Sequence, residues 1–183
     1  MKKSSNFPFV DDLILRKNLD LVFDYIVELI SISESNKYED AIIGSFRKTI
    51  IIYTATIIEA LLLWKLKEKV KGNVIELEED WKYKDVRKIY TIEENPLEEI
   101  VWCKRIKETE KKKISKLNLI ETNRLCKKYK IITKSDFNSV EKVRDLRNRL
   151  HIGGLKKLEK GYTKDDLEFV FKVAKRAKEL VSK

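Results

Sequence analysis

Glutamine is missing altogether from this 183-residue chain, which also holds only one His, one Met, two Cys, two Pro and five Gly. Each scarcity excludes something. Cys103 and Cys126 are too few for the disulfide framework of a small secreted domain, and they suit a reducing compartment. Together with the single His151 they cannot assemble a Cys/His zinc finger. So little Gly and Pro excludes collagen-like and turn-rich designs and favours long helices. No Gly-rich phosphate loop, acidic metal cluster or Ser–His pairing stands out. The acidic run Glu76 to Asp80 reads as a solvated turn. No metal and no organic cofactor is expected. The N-terminus, Met1 to Asn6, is polar and leads to no apolar signal core. The most apolar run, Thr49 to Trp64, is 16 residues long and contains Glu59. A bilayer span needs about 20 residues and tolerates a central carboxylate poorly. The expectation is a cytoplasmic protein with a buried core helix and no membrane association.

What is present is Lys, Glu and Ile, a balance that resembles a thermophile's and that an AT-rich genome would also produce. The chain is 43% hydrophobic and 38% charged. That is enough apolar material for a core and excludes global disorder. The length fits a single domain spanning 1–183, with an insert at about 74–96. The net charge of +10 is unevenly spread. Val101 to Lys160 holds 19 Lys/Arg against 7 Asp/Glu, a net of +12, whereas the remainder has 21 against 23, a net of −2. A field so concentrated attracts polyanions, nucleic acid first among them.

Periodicity places the elements. Val10, Leu13, Ile14, Leu19, Val22, Phe23, Ile26, Leu29 and Ile30 recur at helical spacing, with Pro8 at or just before the start and Ser33 to Asn36 at the end. A second helix spans about 37–71, apolar nearly all round in its middle and therefore central in its bundle; Gly72-Asn73 stops it. Between Val74 and Ile92 the pattern turns to period two, which predicts one or two short strands or an irregular flap closed by Asn95-Pro96. Residues 97–113 and 117–129 read as helices. Thr133 with Asp136, and Thr163 with Asp166, have the spacing of capping boxes. The first opens a helix carrying Phe137, Val140, Val143, Leu146 and Leu150 as far as Gly153-Gly154. The second opens a last helix carrying Leu167, Val170, Phe171, Ala174 and Leu180.

The stretch Val143 to Gly154 carries the chemistry. On a helix Arg144, Arg147, Asn148 and His151 fall within an arc of about 100°. Guanidiniums grip phosphate in a bidentate fashion. An imidazole moves protons near neutrality. The same side chains also suit a helix C-terminus with no function at all. If they do act, they are suited to phosphodiester chemistry on RNA, where the 2′-hydroxyl can serve as nucleophile. Glu59, alone on an apolar helix, requires a cationic or hydrogen-bonding partner. The motif helix offers Arg144, Arg147 or Asn148, so Glu59 is expected within hydrogen-bonding range of one of them, in a supporting role.

This arrangement resembles HEPN (higher eukaryotes and prokaryotes nucleotide-binding) domains of the ribonuclease type. In these, an Arg, a polar residue and a His follow one another with four to six residues between Arg and His. Arg144, Asp145 and His151 fit that pattern, and Arg147-Asn148, with three residues before His151, is the close alternative. The stretch from Ile120 to Ile132 resembles the short helix that leads into the motif, and Ile58 to Leu62 resembles the central helix. The likeness covers residues 10–72 and 114–181; the insert departs from it. The resemblance implies an all-α bundle of four to six helices with a small β-like insert, acting as a homodimer with a composite, metal-independent ribonuclease site. It implies a toxin or antiphage-defence role with an antitoxin or other defence-system protein as partner, or else a non-catalytic RNA- or protein-binding module. The residues it marks as catalytic are Arg144, Arg147, Asn148 and His151. Lys111, Lys112, Lys113, Lys127, Lys128, Lys130, Arg149, Lys156 and Lys157 would hold the RNA backbone. Some toxin members carry a modifiable tyrosine two residues after the His; here Gly153 stands there, so that form of control is not expected.

Overall fold

The computed structural model describes residues 4–35, 37–75, 81–93, 95–107, 114, 117–148 and 161–182. Among these the chain is mainly helical, with five helices and one two-stranded antiparallel sheet. The order is α1 (Leu13–Glu34), α2 (Asp40–Lys71), β1 (Trp81–Ile92), β2 (Asn95–Lys107), α3 (Leu119–Lys128), α4 (Lys134–Asn148) and α5 (Lys164–Val181).

Local chemistry sets most helix ends. Asp12, not Pro8, starts α1: its carboxylate accepts from the Ile14 and Leu15 N–H groups, both at 3.0 Å. Both expected capping boxes are present. Thr133 Oγ1 accepts from the Asp136 N–H at 3.2 Å and Asp136 accepts from the Thr133 N–H at 3.1 Å. Thr163 and Asp166 repeat this at 3.1 and 2.9 Å. At the end of α2, Gly72 caps the helix, and Asn73 takes the left-handed conformation at φ 54°. Asn is one of the few residues other than Gly that enters this region readily.

The core is built around α2, which packs against each of the other four helices. Ile51, Ala55, Ile58 and Leu62 form one buried stripe; Ile50, Thr54, Ile57 and Leu61 form a second beside it. Two adjacent stripes leave little of the middle of α2 facing water, which is why it shows so little amphipathic contrast. Thr54 is tolerated there because its hydroxyl donates back to the Ile50 carbonyl at 2.8 Å. Length and composition alone would let α2 cross a bilayer; in the fold, 56% of its most apolar 18-residue window is buried. The segment before α1 folds over the end of α2. Phe7 and Val10 are buried, and Trp64 Nε1 donates to Asp11 at 2.9 Å, a bond that holds the Asp11 carboxyl below its ordinary range. Lys65 ties α5 to α2 by donating to the Val181 carbonyl at 2.9 Å.

One expected element is corrected. Residues 97–107 are not helical but form most of β2, and the insert therefore reaches Lys107 rather than ending at Pro96. Leu97, Ile100 and Val101 have helix-like spacing. They also sit among β-branched and aromatic residues that pair across to β1: Trp102 with Arg87, Val101 with Lys88, Ile100 with Tyr90. Cross-strand pairing outweighs a weak local preference. The hairpin is a long ribbon, and among the described residues neither strand packs on a helix.

Candidate functional site

The site is built on the face of α4 that looks toward α2. Val140, Val143 and Leu146 bury the inner stripe of α4 and fix its rotation. That rotation brings Arg147 to Glu59, 88 residues away in sequence: Arg147 Nη1 donates to Glu59 Oε2 at 2.8 Å. The side chains are 35% and 21% exposed, so the pair lies at the edge of the core, part shielded and part wet. The expected contact between Glu59 and the motif helix is therefore present, with Arg147 as the partner.

Arg144 lies one turn earlier and is held differently. Its Nε donates to Glu141 Oε2 at 2.9 Å, and its Nη2 lies 3.1 Å from Asp145 Oδ1. Glu141 is fixed in turn by the fully buried Asn123, whose Nδ2 donates to Glu141 Oε1 at 2.6 Å and to the Phe137 carbonyl at 3.2 Å. The chain Asn123–Glu141–Arg144 runs from the core of α3 to the surface of α4. Sequence reasoning passed over Glu141 and Asn123. The i,i+3 spacing of Glu141 and Arg144 was a usable signal, whereas nothing local marks Asn123.

Arg147 is thus clamped by one carboxylate and Arg144 by two. A guanidinium has five N–H donors in a rigid fork, so a clamp at one edge orients the others without consuming them. Asn148 closes the described part of α4 and is exposed. Lys127 and Lys128 end α3; Lys127 Nζ stands 4.5 Å over the Phe137 ring, about 10 Å along α4 from Arg144. These lysines therefore flank the arginines at a distance. Lys111, Lys112, Lys113, Arg149, His151, Lys156 and Lys157 lie outside the described residues. Among the described residues no group of three or more His, Cys, Asp or Glu is gathered closely enough to hold a metal ion. Cys126 is not a nucleophile: burial pushes its thiol up to about 12, and it faces the Leu62 carbonyl at 3.7 Å. Comparison of the chain with protein-family models, with curated proteins and with solved structures finds no match.

The clamp makes a prediction. Glu59→Gln keeps the shape and one weaker hydrogen bond but loses the charge that fixes Arg147. For the RNA cleavage proposed below, the expected result is a partial loss, about 3- to 10-fold, with stability changed by about 1 kcal/mol or less. Steady-state kinetics beside a urea titration checks it. An unchanged rate would mean that the clamp has no part in function.

Proposed function

We propose that the chain is a metal-independent endoribonuclease of the HEPN type, cytoplasmic and of the toxin or antiphage-defence kind, with an antitoxin or other defence-system protein as its regulating partner. The observation that supports this reading best is the 2.8 Å pair between Glu59 and Arg147. It clamps a guanidinium on the same helical arc that the sequence assigns to His151. In the proposed reaction the imidazole takes the proton of a ribose 2′-hydroxyl. The freed oxygen attacks the adjacent phosphorus, the bond from phosphorus to the 5′-oxygen breaks, and that oxygen takes up a proton. The products are a 2′,3′-cyclic phosphate and a 5′-hydroxyl. Arg144 and Arg147 stabilise the charge gathering on the phosphate oxygens. The deciding assay is cleavage of mixed RNA in EDTA by the purified chain beside His151→Ala. Cleavage that requires a metal would contradict the proposal.

One chain has a single imidazole, whereas acid–base cleavage is easier with two. A two-fold dimer that brings both motif helices together would supply the second. Light scattering at micromolar concentration is expected to give about twice the 21.7 kDa chain mass. A monomer would eliminate the composite site.

A second reading, a non-catalytic RNA- or protein-binding module of the same fold, draws support from Arg144, which is flanked by both Glu141 and Asp145. Two carboxylates weaken its pull on a phosphate. Under this reading His151→Ala leaves RNA binding intact and wild type shows no cleavage.

A further inference from the structure

The ribbon formed by β1 and β2 is an unusual object. Twelve and thirteen residues long, its strands extend about 40 Å, yet among the described residues neither packs on a helix. A two-stranded ribbon standing alone is marginally stable in water, and a protein that keeps one in the open has a use for its surface.

Cross-strand partners share a face, as do alternate residues along a strand. One face carries three successive pairs: Lys84 with Lys104, Arg87 with Trp102, and Tyr90 with Ile100. Trp102 is 49% exposed and Tyr90 56%. They lie about 6.6 Å apart along the ribbon, two residues' rise. Lys84 and Arg87 have no carboxylate partner among the described residues. Lys104 meets Asp85 at 3.2 Å, but both side chains are more than half exposed, so that bond is weak. Glu93, Glu98 and Glu99 lie toward the tip, where Glu99 pairs with Lys88 at 2.8 Å. Along this face the cations Lys84, Lys104 and Arg87 lie on the side toward the helices, with the open rings of Trp102 at the middle of the ribbon and Tyr90 nearer its tip.

We propose that this face is a binding arm for single-stranded RNA, with bases stacking on Trp102 and Tyr90 and the phosphate backbone following Lys84, Arg87 and Lys104. This deepens the ribonuclease reading and rests on RNA being the ligand. Aromatic rings beside cations bind single strands without regard to sequence, since every base has a π-face. A duplex hides those faces, so the arm selects unpaired RNA. Pairing of the ribbon edge with a second copy of the chain is less suited to this geometry. β1 holds an extra residue between Lys84 and Arg87 and another between Lys88 and Tyr90, and Asp85 takes φ 54°, so its outer edge is broken into short pieces.

The test is binding of a fluorescein-labelled, mixed-sequence single strand of about twelve nucleotides, 2′-O-methylated throughout so that it cannot be cleaved. It is titrated into the full-length chain and followed by anisotropy. Trp102→Val keeps strand propensity and removes the stacking surface; it is expected to weaken binding about tenfold or more. Tyr90→Val should weaken it further, Trp102→Tyr should restore most of it, and Arg87→Ala should lower the dependence of affinity on salt. The same RNA as a duplex should be nearly indifferent to Trp102. Wild-type affinity in both valine variants would overturn the proposal. So would a Trp102→Val variant that binds RNA normally but has half the mass in light scattering, since the occupant would then be a second copy. The uncleavable probe separates this idea from catalysis. Normal binding by the valine variants beside a cleavage-dead His151→Ala removes the arm alone. A wild-type chain that binds no RNA at low salt removes the RNA reading with it.

Discussion

His151→Ala is expected to lower RNA cleavage by roughly 10²-fold or more while leaving RNA affinity nearly unchanged. The chain has no other imidazole, and no other side chain type has an ordinary pKa close to neutrality. Loss of the ring therefore removes the proton-transfer step rather than shifting it to a neighbour. Single-turnover cleavage in EDTA, with the 2′,3′-cyclic phosphate followed as product, measures it. Arg147→Ala is the informative companion. It should slow cleavage by a similar factor and also weaken RNA binding, because a guanidinium meets the phosphate in both the ground and the transition state. It also leaves the Glu59 carboxylate part-buried beside a vacated position. Arg147→Lys restores charge but not the fork, and should recover binding more than rate. Equal cleavage by wild type and His151→Ala would end the ribonuclease reading and leave the binding module.

Leu61→Ala is expected to cost about 3 kcal/mol in stability and to lower the melting temperature by about 6–12 °C. Leu61 is fully buried at the middle of α2, two residues from Glu59. It borders a cavity of about 390 Å³ lined by Phe7, Phe23, Ile26, Ile57 and Phe171 between α1, α2 and α5. Truncation there widens an existing groove, so the surrounding side chains gain little by relaxing inward. Leu13→Ala is the control: at 60% exposed it should change stability by less than about 0.5 kcal/mol. Thermal unfolding by circular dichroism compares the two. Similar melting temperatures would mean that α2 is not the centre of the fold.

The residues that were legible in the sequence are those whose signals are local. Thr133 with Asp136 and Thr163 with Asp166 mark helix starts because the capping partners lie three residues apart. The middle of α2, apolar nearly all round apart from Glu59, marks a central helix because an element covered on most sides needs little polar face. The Arg144–Arg147–Asn148 arc follows from 3.6 residues per turn. Glu59 was legible as a residue needing a partner, since a carboxylate on an apolar helix implies one, and the motif helix held the cations.

What only tertiary structure decided is whatever depends on residues distant in sequence. Arg147 rather than Arg144 meets Glu59 because the buried stripe Val140, Val143 and Leu146 sets the rotation of α4 against α2. Asn123 positions Glu141 from another helix, and no local pattern announces a buried amide. Residues 97–107 pair as a strand because β1 supplies hydrogen-bonding partners, which helical spacing cannot reveal. Local signals were enough for the central helix, for the capping boxes that open α4 and α5, and for the chemistry available on one face. Packing decided which carboxylate holds which arginine, and strand pairing decided that the insert is a ribbon, because both are settled by contacts between segments that the chain order keeps apart.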